Sequence, residues 1–489
     1  MTTFLGIPYA AAPVGELRFR APRPPQIVAD VQQATAQPNE CLQAGGGTSP
    51  TNPLEARDIV VGVPSEDCLF LSVYYPSDAI GVPEGGLPTI VWIHGGGYDA
   101  GAASIYRGTD LINQSNRGIV VVTIQYRLGL FGFLSGTEVK KNGALNAGLL
   151  DQDFALRWVN KHISKFGGDP SKVTIWGESA GAGSIIQHLV ANNGKTEPQL
   201  FRGAISTSST FLSSQFNYND PTLELLYGEI LAQTSCTGAT DSMACLRATD
   251  STALKIVNTN ISGEAFYASY TFLPVVDGEF ITQRPTLSFS EGKVNGEALL
   301  SVTNTFEGTL FVNQSTAATA NATQYALDLY PNFGPAQANK VGSLYAGLGT
   351  QVLQERAIIG ESWLICPTYY MLRAFAGRSF KGEFAIPPGT HASDVLYYFP
   401  ELLTFQPFNN TAFVDAFAQS FTSFAISLDP NIKVAPTITP RWNKWDVGQS
   451  EMLFNKTDDG EPVVTPVVTS GALLERCRFW NSVANLTGQ

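Results

Sequence analysis

Two spacings of apolar residues alternate along this chain. Short β-branched runs bounded by glycine read as buried strands, and longer stretches with apolar residues every three or four positions read as helices. LPTIVWIHGGG (87–97) is an apolar run that ends in glycines, the pattern of a strand entering a loop. GIVVVTIQYR (118–127) is a second strand, and DQDFALRWVNKHISKF (151–166) spaces Phe154, Leu156, Trp158, Val159 and Ile163 around a helix. KVTIW (172–176) is another strand, SAGAGSIIQHLVANN (179–193) returns to helix, and FRGAISTSS (201–209) is a strand and loop. Strand and helix alternating at this rhythm predict right-handed βαβ units and a large, mostly parallel sheet flanked by helices. The span 215–370 is richer in helical patterns such as DPTLELLYGEILAQT (220–234), expected to form long insertions over the sheet. Residues 1–489 are therefore read as one α/β domain.

Composition narrows the function classes. The chain is 44% hydrophobic and 15% charged, enough apolar material for a large core, and its net charge of −12 with no Lys/Arg cluster argues against nucleic acid. The longest strand-like apolar run, IVVVTI (119–124), is far too short to span a membrane. The six cysteines contain no C-x-x-C pair, so no zinc site or other metal site is expected. Sequons at Asn113, Asn260, Asn313, Asn321, Asn409, Asn455 and Asn485, with an even cysteine count, favour secretion. The opening MTTFLGIPYA shows no signal peptide, so the chain is read as a mature, trimmed form.

The stretch KVTIWGESAGAGS (172–184) carries G-x-S-x-G around Ser179. Such a short motif arises by chance in a chain with 46 glycines, so its flanks decide. A strand precedes it and a helix follows it, the context in which a serine nucleophile sits on a sharp elbow between two close-packed glycines. HGGGY (94–98) is by itself an ordinary glycine-rich loop, but after an apolar strand and upstream of an elbow it matches the oxyanion loop of α/β-hydrolases. That fold orders its triad Ser, acid, His, and of the four histidines (His94, His162, His188, His391) only His391 satisfies the order. The acid stays open between Glu307, which follows the strand ALLSVT (298–303), and Asp277 in FLPVVDGEF (272–280).

Longer signatures bear on that choice. FGGDPSKVTIWGESAG (166–181) and EDCLFLSVYYP (66–76) resemble the two signatures of the type-B carboxylesterases, the family of cholinesterases and fungal lipases. FLGIPYAAAPVGELRFRAP (4–22), YRLGLFGFL (126–134) and RCRFWN (476–481) extend the similarity over the whole chain. The resemblance implies an α/β-hydrolase fold, a Ser179–Glu307–His391 triad, an oxyanion hole from Gly96, Gly97 and Ala180, and a nearby Ser208. It implies the pairs Cys41–Cys68, Cys236–Cys245 and Cys366–Cys477, no cofactor, and a small-molecule or lipid ester as substrate. It also exposes departures: the family's N-terminal hairpin before GIPYA is missing, consistent with trimming. The Cys41–Cys68 loop has no tryptophan for a quaternary ammonium, which disfavours choline esters. That loop is shorter than the lid of the yeast lipases and holds the polar tract AGGGTSPTNP (44–53), so a strong interfacial switch is not expected.

Overall fold

The strands form where those apolar runs lie. The computed structural model describes residues 1–47, 63–77, 85–209, 216–402 and 406–489. Its main sheet contains β1 (Thr2–Pro8), β2 (Phe70–Tyr75), β3 (Leu87–Ile93), β4 (Val120–Ile124), β5 (Gly168–Glu178), β6 (Gly203–Thr207), β7 (Ala298–Asn304), β8 (Ser379–Phe384), β9 (Ser450–Lys456) and β10 (Pro462–Val468). The spatial order is β1-β2-β4-β3-β5-β6-β7-β8-β9-β10. From β4 to β9 every pairing is parallel, with antiparallel pairs at both edges.

Burial on both faces explains the nearly unbroken apolar runs of the central strands. Along β3 the side chains alternate between two cores: Val91 and Ile93 join one, Ile90 and Trp92 the other. The first core packs against α1 (Ala147–His162) and α2 (Ala180–Gly194) through Leu156, Val159, Ile185 and Leu189. The second is strongly aromatic. Trp92 meets Trp176 edge-on at 5.4 Å, and Trp176 stacks on Phe421 at 4.8 Å.

The helix expected over 151–166 is α1, shifted toward the N-terminus, and residues 163–166 tighten into a 3₁₀ turn before Gly167. Beyond β6 the chain is largely helical, as expected, beginning with α3 (Pro221–Gln233). The span 215–370 is not insertion alone, however. Within it β7 returns to the middle of the sheet, because its ALLSVTN run is buried throughout and pairs on both edges. Disulfides join Cys41 to Cys68, Cys236 to Cys245 and Cys366 to Cys477. Residues 48–53 of the polar tract expected in the first of these loops lie outside the described residues.

Parallel strands point their C-terminal ends to one edge. The segments following β3, β5, β7 and β8 therefore emerge together there, the place where open α/β sheets carry their chemistry.

Candidate active site

Ser179 sits between β5 and α2 with φ 55° and ψ −124°, a backbone conformation that costs a non-glycine residue energy. The turn closes because its neighbours lack side chains. A Cβ on Gly177 would stand 2.3 Å from the carbonyl of Gly181, and one on Gly181 would stand 2.1 Å from the Ile93 oxygen. The Ser179 N–H donates to the Thr207 carbonyl on β6 at 3.2 Å, tying the elbow to the sheet.

His391 and Glu307 come from loops after β8 and β7. Ser179 Oγ donates to His391 Nε2 at 2.8 Å, and His391 Nδ1 donates to Glu307 Oε2 at 2.7 Å. Glu307 is fully buried, and its other oxygen accepts from the Asn304 backbone N–H at 2.7 Å. Phe311 holds the imidazole from the side, ring edge to ring face at 5.0 Å. Burial alone pulls the imidazole pKa down. The hydrogen bond and charge of Glu307, then the charges of Glu178 and Asp394, outweigh it and push His391 up to about 9.

The loop after β3 brings Gly96 and Gly97 beside the elbow, both at positive φ. A Cβ on Gly95 would meet Ser179 Cβ at 2.9 Å, so the loop and the nucleophile are in close contact. Among the described residues, the Gly96 and Gly97 N–H groups donate to no backbone carbonyl. Ala180 opens α2, where the first N–H groups have no partner within the helix. Tyr270 closes this corner, its ring lying where a Cβ on Gly97 would be.

A second row of polar groups surrounds the triad, and sequence reading missed most of it. Glu178, between the motif glycine and Ser179, is buried with Oε1 3.5 Å from His391 Nε2. Burial raises its pKa to about 8, the charge of His391 acting against the rise and Asp394 and Glu307 adding to it. Asn304 Nδ2 donates to Ser208 Oγ at 2.8 Å and to Asp394 Oδ1 at 2.9 Å, and lies 3.3 Å from Glu307 Oε1. Ser208 thus reaches the site through Asn304. Tyr398 donates to the other oxygen of Asp394 at 3.0 Å. The available signal was weak: Asn304 stands three residues before Glu307, and Asp394 three after His391.

The remaining candidates fall elsewhere. Asp277 accepts from Asn146 Nδ2 at 2.6 Å and from the N–H groups of Glu279 and Ile281, which makes it a turn-stabilising carboxylate. His94 is buried against Tyr126, His188 is held by Gln152 at 3.0 Å, and His162 lies beside Trp158. Asn113, Asn260, Asn321, Asn409 and Asn485 are exposed and Asn455 is half-buried. Asn313 is buried at 8% exposure. No group of three or more His, Cys, Asp or Glu among the described residues is placed to hold a metal ion. No helix among them is long and apolar enough to cross a membrane.

A serine at a strained elbow, bonded to a histidine that is bonded to a buried glutamate, is the constellation of a serine hydrolase. Residues 1–334 match the model of the carboxylesterase family. The chain belongs to that family. This carboxylesterase-family protein is 32% identical to lipase 4 of Diutina rugosa over 470 residues, covering 88% of the chain and 84% of the relative. It is 33% identical to secreted lipase 1 of Botryotinia fuckeliana over 353 residues, 68% of the chain, a match spanning 61% of that relative's own length. Its fold is similar to the crystal structure of Aspergillus niger EstA, with a TM-score of 0.84 and 30% identity over 100% of this chain and 95% of the other.

Proposed function

We propose that the protein hydrolyses carboxylic esters through an acyl-enzyme formed on Ser179. The observation that carries this reading is His391 bonded on one nitrogen to Ser179 Oγ and on the other to Glu307. Neutral His391 takes the Ser179 proton as Oγ attacks the ester carbonyl. Glu307 holds the imidazole in the right tautomer and stabilises its cation. The N–H groups of Gly96, Gly97 and Ala180 receive the developing oxyanion, a contribution of about 3 kcal/mol per donor in dissected sites. His391 then protonates the departing alcohol, and afterwards activates the water that releases the acid. Three disulfides and kinship with a secreted lipase support an extracellular setting.

The relatives' names also favour a second reading, in which long acyl chains are the preferred substrates. Hydrolysis of p-nitrophenyl esters from acetate to palmitate tests both. The proposed reaction gives turnover that Ser179→Ala lowers by about 10⁴-fold or more, and turnover unchanged in that variant would end the assignment. A kcat/KM peak at acetate to butyrate fits a short-acyl esterase, and a rise toward palmitate fits the lipase reading.

A further inference from the structure

A cavity of about 240 Å³ lies one aromatic ring away from the triad. That ring is Phe311, which stands against His391 and also lines the cavity. Phe266, Tyr267 and Tyr325 complete an aromatic lining. The segment carrying Phe266 and Tyr267 runs on to Tyr270, the ring packed on Gly97 of the oxyanion loop. Two walls of the cavity are therefore continuous with the two sides of the reaction centre.

The other walls carry hydrogen-bonding groups. Asn313, Asn321, Gln324, Asp328 and Glu355 line it with two threonines, and among the described residues no lysine or arginine does. Glu355 is buried at 6% exposure, and one oxygen accepts from the Asn321 backbone N–H at 2.9 Å. Among the described residues no group is bonded to its second oxygen. The Tyr325 hydroxyl is buried and also lacks a partner there. A buried hydroxyl without a partner is costly unless something else hydrogen-bonds to it.

We infer that this cavity is a subsite for a hydroxyl-bearing part of the ester substrate, polyol-like in chemistry, with Glu355 and Tyr325 as its specificity-determining hydrogen-bonding groups. The inference rests on the ester-hydrolase reading above and adds the substrate class. Aromatic rings pack against the carbon face of such a group, while amide, hydroxyl and carboxyl side chains engage its O–H groups. The cavity holds several times the roughly 30 Å³ that one water takes up, room for a short polyol chain. Burial raises the pKa of Glu355, the Asn321 N–H opposes the rise and the Asp328 charge adds to it.

Matched ester pairs test the inference on the whole enzyme. On the alcohol side the pair is 1-butyrylglycerol against propyl butyrate; on the acyl side it is propyl 3,4-dihydroxybutyrate against propyl butyrate. The expected result is a higher kcat/KM for the hydroxylated member of at least one pair. Tyr325→Phe and Glu355→Gln, each with an unchanged thermal midpoint, should then shrink that ratio by about ten- to a hundredfold. Equal rates within both pairs, or a ratio unmoved by both variants, would overturn the subsite. Preference for butyrylcholine over both hydroxylated esters would overturn it in favour of a cationic ligand. Absence of hydrolysis of every ester, p-nitrophenyl acetate included, would instead strike the ester-hydrolase reading on which it rests.

Discussion

The two halves of the proposed reaction centre are held by opposite means. Around Ser179 the geometry is set by backbone and by missing side chains: Gly177 and Gly181 permit an approach that any Cβ would block, and Gly95 lets the next loop touch the nucleophile. Around Glu307 and His391 it is set by side chains, with Asn304, Asp394, Ser208 and Tyr398 forming one buried hydrogen-bonded set. The nucleophile's side tolerates no added atoms. The acid–base side tolerates no lost bonds.

Substitutions on each side break this contrast in different ways. The largest effect is expected from Glu307→Gln, which keeps the shape and disturbs the imidazole tautomer: kcat should fall by about 10⁴-fold with KM little changed. A loss under tenfold would show that another carboxylate supports His391. Gly177→Ala should act on stability instead, because its Cβ meets backbone that cannot swing away. Overpacking of this kind costs about 1–3 kcal/mol, readable as a lower urea midpoint. An unchanged midpoint would mean that the elbow has slack.

The smallest effect is one of pH. Protonated His391 cannot accept the Ser179 proton, and its pKa is raised to about 9, so kcat/KM should climb with pH toward that value. Glu178, 3.5 Å away, contributes to that rise. Glu178→Gln removes a negative neighbour, so the activity limb should move to lower pH. A limb that stays in place would assign the raised basicity to Glu307 and Asp394 alone.

The same contrast explains what was readable in the sequence. The elbow is local: strand, glycine, serine, glycine and helix are consecutive, so KVTIWGESAGAGS displayed both the residue and its context. The parallel sheet was legible for a similar reason, since burial on both faces leaves continuous apolar runs. His391 was reachable by elimination among four histidines, but Glu307 and Asp277 stayed level on their residues alone. What separates them is three-dimensional. One lies 2.7 Å from His391, and the other is spent on turn amides and Asn146. Asn304 and Asp394 act through partners some 90 residues apart, a relation no local spacing encodes. The cavity is further from view still. Its walls come from residues near 266, 311–328 and 355, and its interest lies in the unpartnered Tyr325 hydroxyl and the carboxyl of Glu355.

The Cys366–Cys477 bond gives the three groups of the proposed triad an unequal covalent standing. It joins cysteines 111 positions apart and closes a loop that contains His391, while Ser179 and Glu307 lie on the chain before it. A protease cut anywhere inside that loop would leave a two-chain protein still joined by sulfur, intact on a non-reducing gel and split on a reducing one. Where the cut falls after His391, the base stays on the same fragment as the nucleophile. Where it falls between Cys366 and His391, the disulfide alone ties the base to the rest of the triad.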